Sequence, residues 1–129
     1  PYVYHHTPAS PLYYAMHQAL TVIEEEGLEA RWERHRAANI RLLKGLSTLG
    51  FEPLVEKPED RIWHLTTVKP PGGVDEAALR QRLFDRYDIE VASGLGQLAG
   101  KILRVGTMGP LATEERVDHL LGCIEAVLN

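Results

Sequence analysis

A single cysteine, Cys123, stands in the whole sequence. No disulfide can therefore close within the chain, and a reducing compartment, the cytoplasm, is the expected location. No apolar run approaches the ~20 residues that a membrane-spanning helix needs. Charge of neither sign dominates: 14 basic against 18 acidic residues leave a formal net charge of −4 and an isoelectric point near 5.9. That balance offers no electrostatic attraction to nucleic acid or to an anionic membrane, and neither is expected as a partner. Internal repeats, low-complexity tracts and obvious linkers are missing too. The sequence opens at Pro1 rather than at a methionine, and its first residues have no signal-peptide character. A piece of a longer protein is the expectation. What is present is 129 residues, 44% of them hydrophobic and 25% charged, enough for one buried core and too apolar for disorder.

The apolar pattern sets an element order of α-α-β-β-α-β-β-α. Ser10 reads as a helix cap, with Pro11 at the first helical position, where its missing N–H is no loss. Leu12, Met16, Ala19, Leu20 and Ile23 follow at helical spacing up to Gly27. A second, longer helix runs from Leu28 through Trp32, Leu42, Leu43, Leu46 and Leu49 to Gly50. Its basic cluster RWERHR is flanked by acids at helical spacing and reads as a solvated face rather than a binding patch. After Gly50 the period changes, and residues 51–55 and 62–68 read as strands around the turn-prone KPEDR. Asp75 is placed to cap a third helix, with Val74 and Leu79 as its hydrophobic staple. That helix turns Leu79, Leu83 and Phe84 inward and ends near Tyr87-Asp88. The strands IEVA and KILRVG follow, and Thr113 opens a last helix with Val117, Leu120, Leu121, Ile124 and Val127 on one face. The expected fold class is α+β, a small sheet covered on one side by helices.

Arg104 is the most informative residue. Side chains alternate along KILRVG, so Leu103 and Val105 share one face while Ile102, Arg104 and Gly106 share the other. A guanidinium in an interior strand is costly unless something anionic meets it. Two readings stand: a structural ion pair with a carboxylate elsewhere in the chain, or an anchor for an anionic ligand. The surrounding glycines, Gly94, Gly96, Gly100, Gly106 and Gly109, favour the ligand, since glycine lets backbone approach closely. The loop SGLGQLAG is no nucleotide cradle. It lacks the G-x-G-x-x-G spacing, and a strand rather than a helix follows it. No metal site is expected: His5 and His6, adjacent in an extended segment, should point apart, and Cys123 belongs to the inner side of the last helix. A thiol among Leu120, Ile124 and Val127 reads as inert core, not as a nucleophile.

Taken in order, YHHTP ahead of a helix, EEGLEARWERHR, TTVKPPGGVD and DIEVASGLGQLAGKILRVGTMG before a closing helix resemble the carboxy-terminal portion of class V aminotransferases. The resemblance is to the alanine–glyoxylate and serine–glyoxylate (serine–pyruvate) group, and it covers nearly all of this chain but less than half of such an enzyme. It implies a fold-type I enzyme, a homodimer, with pyridoxal 5′-phosphate as cofactor. It further implies that Tyr4 and Thr7 donate hydroxyl hydrogen bonds to the cofactor phosphate of the partner subunit; for His5 and His6, which it does not assign, interface packing is the expectation. Arg104 would fork onto the α-carboxylate of the amino-acid or 2-oxo-acid substrate, as a planar, permanently charged guanidinium is suited to do. The SGLG loop would pack near it. Ser93 stands where close relatives often have glycine.

The resemblance also implies a division of the chain. Residues 1–27 would be an interface segment and helix belonging to a large domain, 28–50 a connecting helix, and 51–129 the small domain. The Schiff-base lysine and the aspartate that pairs with the cofactor's pyridine nitrogen lie upstream of the Y-H-H-T segment in the family. None of Lys44, Lys57, Lys69 or Lys101 stands in a matching motif, so this chain alone should not catalyse transamination. Nothing here resembles the mobile-loop cysteine of the related cysteine desulfurases. The expected function is transfer of an amino group from a small amino acid, alanine or serine, to glyoxylate or a similar 2-oxo acid. The competing readings are a free-standing α+β anion-binding or regulatory module and a purely structural dimerisation domain.

Overall fold

The computed structural model describes residues 5–129, in two compact units that divide between Glu33 and Arg34. The first unit contains α1 (Ser10–Glu26) and the opening turns of α2 (Leu28–Thr48). Ser10 lies inside α1 rather than capping it: Ala9 holds the cap position, and no side chain bonds the free N–H groups there. Pro11 still falls within the first turn, where no intrahelical partner is lost. Gly27 ends α1 at φ +81°, with its N–H on the Ile23 carbonyl at 3.0 Å. The left-handed conformation there is the reason for a glycine. No residue of α1 is buried.

The second unit is built on a four-stranded antiparallel sheet of order β1-β2-β4-β3, with β1 at Glu52–Pro53, β2 at Leu65–Lys69, β3 at Ala92–Ser93 and β4 at Leu103–Gly106. The strands are shorter than the alternation suggests. Pro53 has no N–H to extend a ladder and sits on the edge strand, where it is tolerated. Register places Thr66 opposite Val105 and Val68 opposite Leu103. These four are buried together, and the core closes over them with Leu42 and Leu46 of α2, Leu79 and Leu83 of α3 (Glu76–Tyr87), and Val117, Ile124 and Val127 of α4 (Glu114–Leu128). The opposite face, carrying Leu65, Thr67, Arg104 and Gly106, is more open. That is the one-sided α+β arrangement expected. Phe84, expected inward on α3, lies half exposed while Leu83 beside it is fully buried.

The other two anticipated caps form. The Asp75 carboxylate accepts from the Ala78 N–H at 2.7 Å, and the Thr113 hydroxyl from the Arg116 N–H at 3.3 Å. Asp88 ends α3 at φ 55°. In the core, the Asn39 amide of α2 donates to the Thr66 hydroxyl at 2.8 Å, so neither buried group is left unpaired across the helix–sheet contact. A Cβ at Gly45 would collide with Leu121, so the absence of a side chain lets α2 and α4 meet there.

Candidate functional site

The site is built around β4, an interior strand paired to β2 on one side and β3 on the other. Arg104 stands on the open face, opposite Thr67 in one ladder and Ala92 in the other. Its Nε donates to the Ser93 carbonyl oxygen at 2.6 Å. Among the described residues that is the only hydrogen bond of the guanidinium, and no carboxylate stands within ion-pair distance of it. The ion-pair reading therefore has no partner here, and Nη1 and Nη2 remain for something else.

The segment between β3 and β4 folds back on itself. The Ser93 hydroxyl accepts from the Gly100 N–H at 3.0 Å, and the Gly94 N–H donates to the Ile102 carbonyl at 3.1 Å. A Cβ at Gly94 would run into the Leu98 carbonyl, so only glycine lets the loop double over at this point. A short 3-10 turn, Gly96–Leu98, completes it, with no helix for a phosphate to cap.

The segment after β4 is held just as closely, by residues the sequence does not mark. Thr107 donates its N–H to the His64 carbonyl at 3.0 Å and its hydroxyl to the Trp63 carbonyl at 3.2 Å. Arg34 Nη1 of α2 reaches the carbonyls of Gly109 and Ala112 at 2.8 and 2.9 Å, and the Gly109 N–H donates to His35 Nε2 at 3.2 Å. RWERHR is thus not simply a solvated face: two of its members clamp the turn after the Arg104 strand. Between the two anchored ends, half-exposed Met108 brings its methyl to 3.4 Å from where a Gly106 side chain would begin.

The other expected residues lie elsewhere. Tyr4 is outside the described residues. Thr7 is exposed just ahead of α1 and belongs to the first unit, whereas Arg104 belongs to the second. His5 and His6 do not point apart, because a bend at His6 brings their ring centroids to 4.1 Å. No third His, Cys, Asp or Glu gathers with them among the described residues. Cys123 is buried with Sγ 3.8 Å from His119 Nε2, and burial pushes its thiol up, away from the thiolate a nucleophile needs.

No protein-family model matches the chain. Individual proteins do. Alanine–glyoxylate aminotransferase from Felis catus is 37% identical over 128 residues, 99% of this chain and 31% of that protein. The (S)-ureidoglycine–glyoxylate transaminase of Bacillus subtilis is 40% identical over 124 residues, 96% of this chain and 30% of that protein. Among solved structures, alanine–glyoxylate aminotransferase from Nostoc sp. superimposes with a TM-score of 0.93 at 45% identity, covering 98% of this chain and 33% of that one. Along nearly its whole length this chain is similar to the carboxy-terminal part of class V aminotransferases, and it spans about a third of the length of the relatives it matches.

Proposed function

We propose that the protein carrying this segment is a pyridoxal-phosphate-dependent transaminase, acting as a homodimer, that moves an amino group from a small amino acid such as alanine or serine to glyoxylate or a similar 2-oxo acid. The observation that carries the reading is Arg104, a permanently charged fork on an interior strand with both terminal nitrogens unclaimed among the described residues. Donor and acceptor substrates both carry an α-carboxylate, so one guanidinium serves both halves of the reaction. It holds the carboxylate by two parallel hydrogen bonds and fixes the rotation of the α-carbon.

The exposed hydroxyl of Thr7, close to the first turn of α1, is the kind of donor a phosphate accepts. With Tyr4 it would hold the cofactor phosphate of the partner subunit. When bound, the cofactor supplies an electron sink for chemistry at the α-carbon. In the same reading residues 1–27 belong with the large domain, 28–50 connect, and 51–129 form the small domain. The 129 residues alone, lacking a lysine in a cofactor-holding motif, do not turn over substrate. Among the described residues no helix is long and apolar enough to cross a membrane, and with no internal disulfide possible a cytoplasmic location is the proposal.

In the full-length protein, Arg104→Ala should raise KM for the amino acid and the 2-oxo acid together, a loss of about 2–4 kcal/mol for a desolvated, charge-assisted pair. Cofactor absorbance should stay normal. An unchanged KM with a lower melting temperature would return Arg104 to a structural role.

A further inference from the structure

Arginine offers carboxylates two forks: a side-on pair, Nε with one terminal nitrogen, and an end-on pair, Nη1 with Nη2. In this protein Nε is already committed to the Ser93 carbonyl at 2.6 Å. We infer that Ser93 is a positioning residue for Arg104, aiming the guanidinium so that a substrate carboxylate is taken end-on by Nη1 and Nη2. The inference rests on the reading of Arg104 as the carboxylate anchor.

The acceptor is held from three directions. The peptide group joining Ser93 to Gly94 takes Arg104 through its oxygen and gives its N–H to the Ile102 carbonyl at 3.1 Å, so the plane of that peptide is fixed against β4. The following loop folds onto the same point, with the Leu98 carbonyl occupying the space a Gly94 side chain would need. Its far end is tied back by Ser93 itself, whose hydroxyl accepts from the Gly100 N–H at 3.0 Å. Gly100 sits at φ +72° and Gly96 at φ +55°, left-handed conformations in which a glycine loop has many alternatives unless something holds it. One residue thus closes the loop with its side chain and aims the guanidinium with its backbone. Without the hydroxyl, the Gly100 N–H loses its acceptor, and the loop resting on the 93–94 peptide loosens. A glycine at this position would add backbone freedom of its own.

The test is made in the full-length protein with Ser93→Ala, Ser93→Thr and Arg104→Ala, measuring steady-state kinetics with alanine and glyoxylate and hydrogen exchange at the Gly100 amide. Ser93→Ala should speed Gly100 exchange and raise KM for both substrates roughly three- to tenfold, the fold-change of one ordinary hydrogen bond, with kcat nearly unchanged. Threonine keeps the hydroxyl, tolerates a strand and should restore both readouts. Faster exchange at Gly100 with an unmoved KM would show that the hydroxyl only closes the loop, and failure of threonine to restore KM would equally overturn the proposal. If Arg104→Ala raises KM and Ser93→Ala does not, the role of Ser93 falls while the anchor stands. If Arg104→Ala leaves KM alone, both fall. A crystal structure with a 2-oxo acid bound decides the fork: a carboxylate oxygen on Nε, with the Ser93 carbonyl released, would refute the end-on geometry.

Discussion

Glu76 opens α3 with its carboxylate buried: Oε1 takes Arg80 Nε at 2.6 Å, while Oε2 has no partner among the described residues. A buried carboxylate held by one cation depends heavily on that cation. Arg80→Ala should therefore destabilise the fold by about 1–3 kcal/mol, less than the loss for breaking a fully buried pair because Arg80 is about a third exposed. Adding Glu76→Gln to that variant should recover part of the loss, since a neutral amide is cheaper to bury. Urea denaturation of the two variants measures it, and equal midpoints would mean that Glu76 is not held as a charged group. The pairing is not legible in the sequence, where Glu76 and Arg80 look like any exposed pair four apart on a helix. Asp75 and Thr113 are legible, because a cap is satisfied by backbone within three residues. Arg104 is legible as an oddity, a charge in an apolar strand. Its partner is not, because a backbone carbonyl leaves no mark on the residue type at position 93.

At the scale of elements, polar side chains tie α2 to segments some 75 residues further along. Arg34 and His35 hold the turn after β4, and Arg41 meets Asp118 of α4 through two hydrogen bonds of 2.6 and 2.8 Å. A charged helix face shows the same periodicity whether it meets water or a distant loop, so the spacing of RWERHR alone does not reveal the clamp. The hydrogen bonds that Arg41 donates hold the Asp118 carboxyl below the usual carboxylate range, and the same bonds, accepted by Asp118, raise Arg41. A folded-state value below the unfolded one gives stability that is present above the unfolded pKa of roughly 4 and is lost as pH falls through the folded value. Arg41 stays charged throughout this window and contributes no titration of its own. Asp118→Asn should lower the melting temperature slightly at pH 6, and the gap from the unchanged protein should close as pH drops toward 2. Because the pair is exposed, added salt should shrink the gap as well. A gap that persists at pH 2 would assign the loss to packing rather than to charge. Strand ends are the least legible elements, since alternation over 51–55 and 62–68 says which residues are apolar on one side but not where a neighbouring ladder stops.

At the scale of the whole molecule, apolar burial is distributed unevenly. Every buried hydrophobic residue among those described lies between Ala38 and Val127, and α1 contributes none. Leu12, Met16 and Leu20, one helical turn apart on a common face, are 70%, 61% and 56% exposed. A helix of 17 residues with no burial is marginal in water by itself, and a contiguous apolar stripe is rarely left open on a monomer. The sheet and its covering helices need no such help, because Leu42, Leu83, Leu103 and Ile124 are fully enclosed. The 129-residue chain on its own should therefore keep the fold of its second unit and self-associate through residues 10–27. Sedimentation across a range of concentrations should show a mass rising above the monomer's 14.5 kDa. Changing Leu12, Met16 and Leu20 together to glutamate should return the chain to a monomer without altering the unfolding midpoint of the core. Hydrogen exchange supplies the complementary view: slow amides at Leu103 and Val105, within the central ladder, and fast amides along α1 wherever association is absent. Identical masses for the chain and its triple-glutamate variant at every concentration would show that the stripe does not drive association. A melting temperature that falls with the three substitutions would mean that α1 supports the core after all.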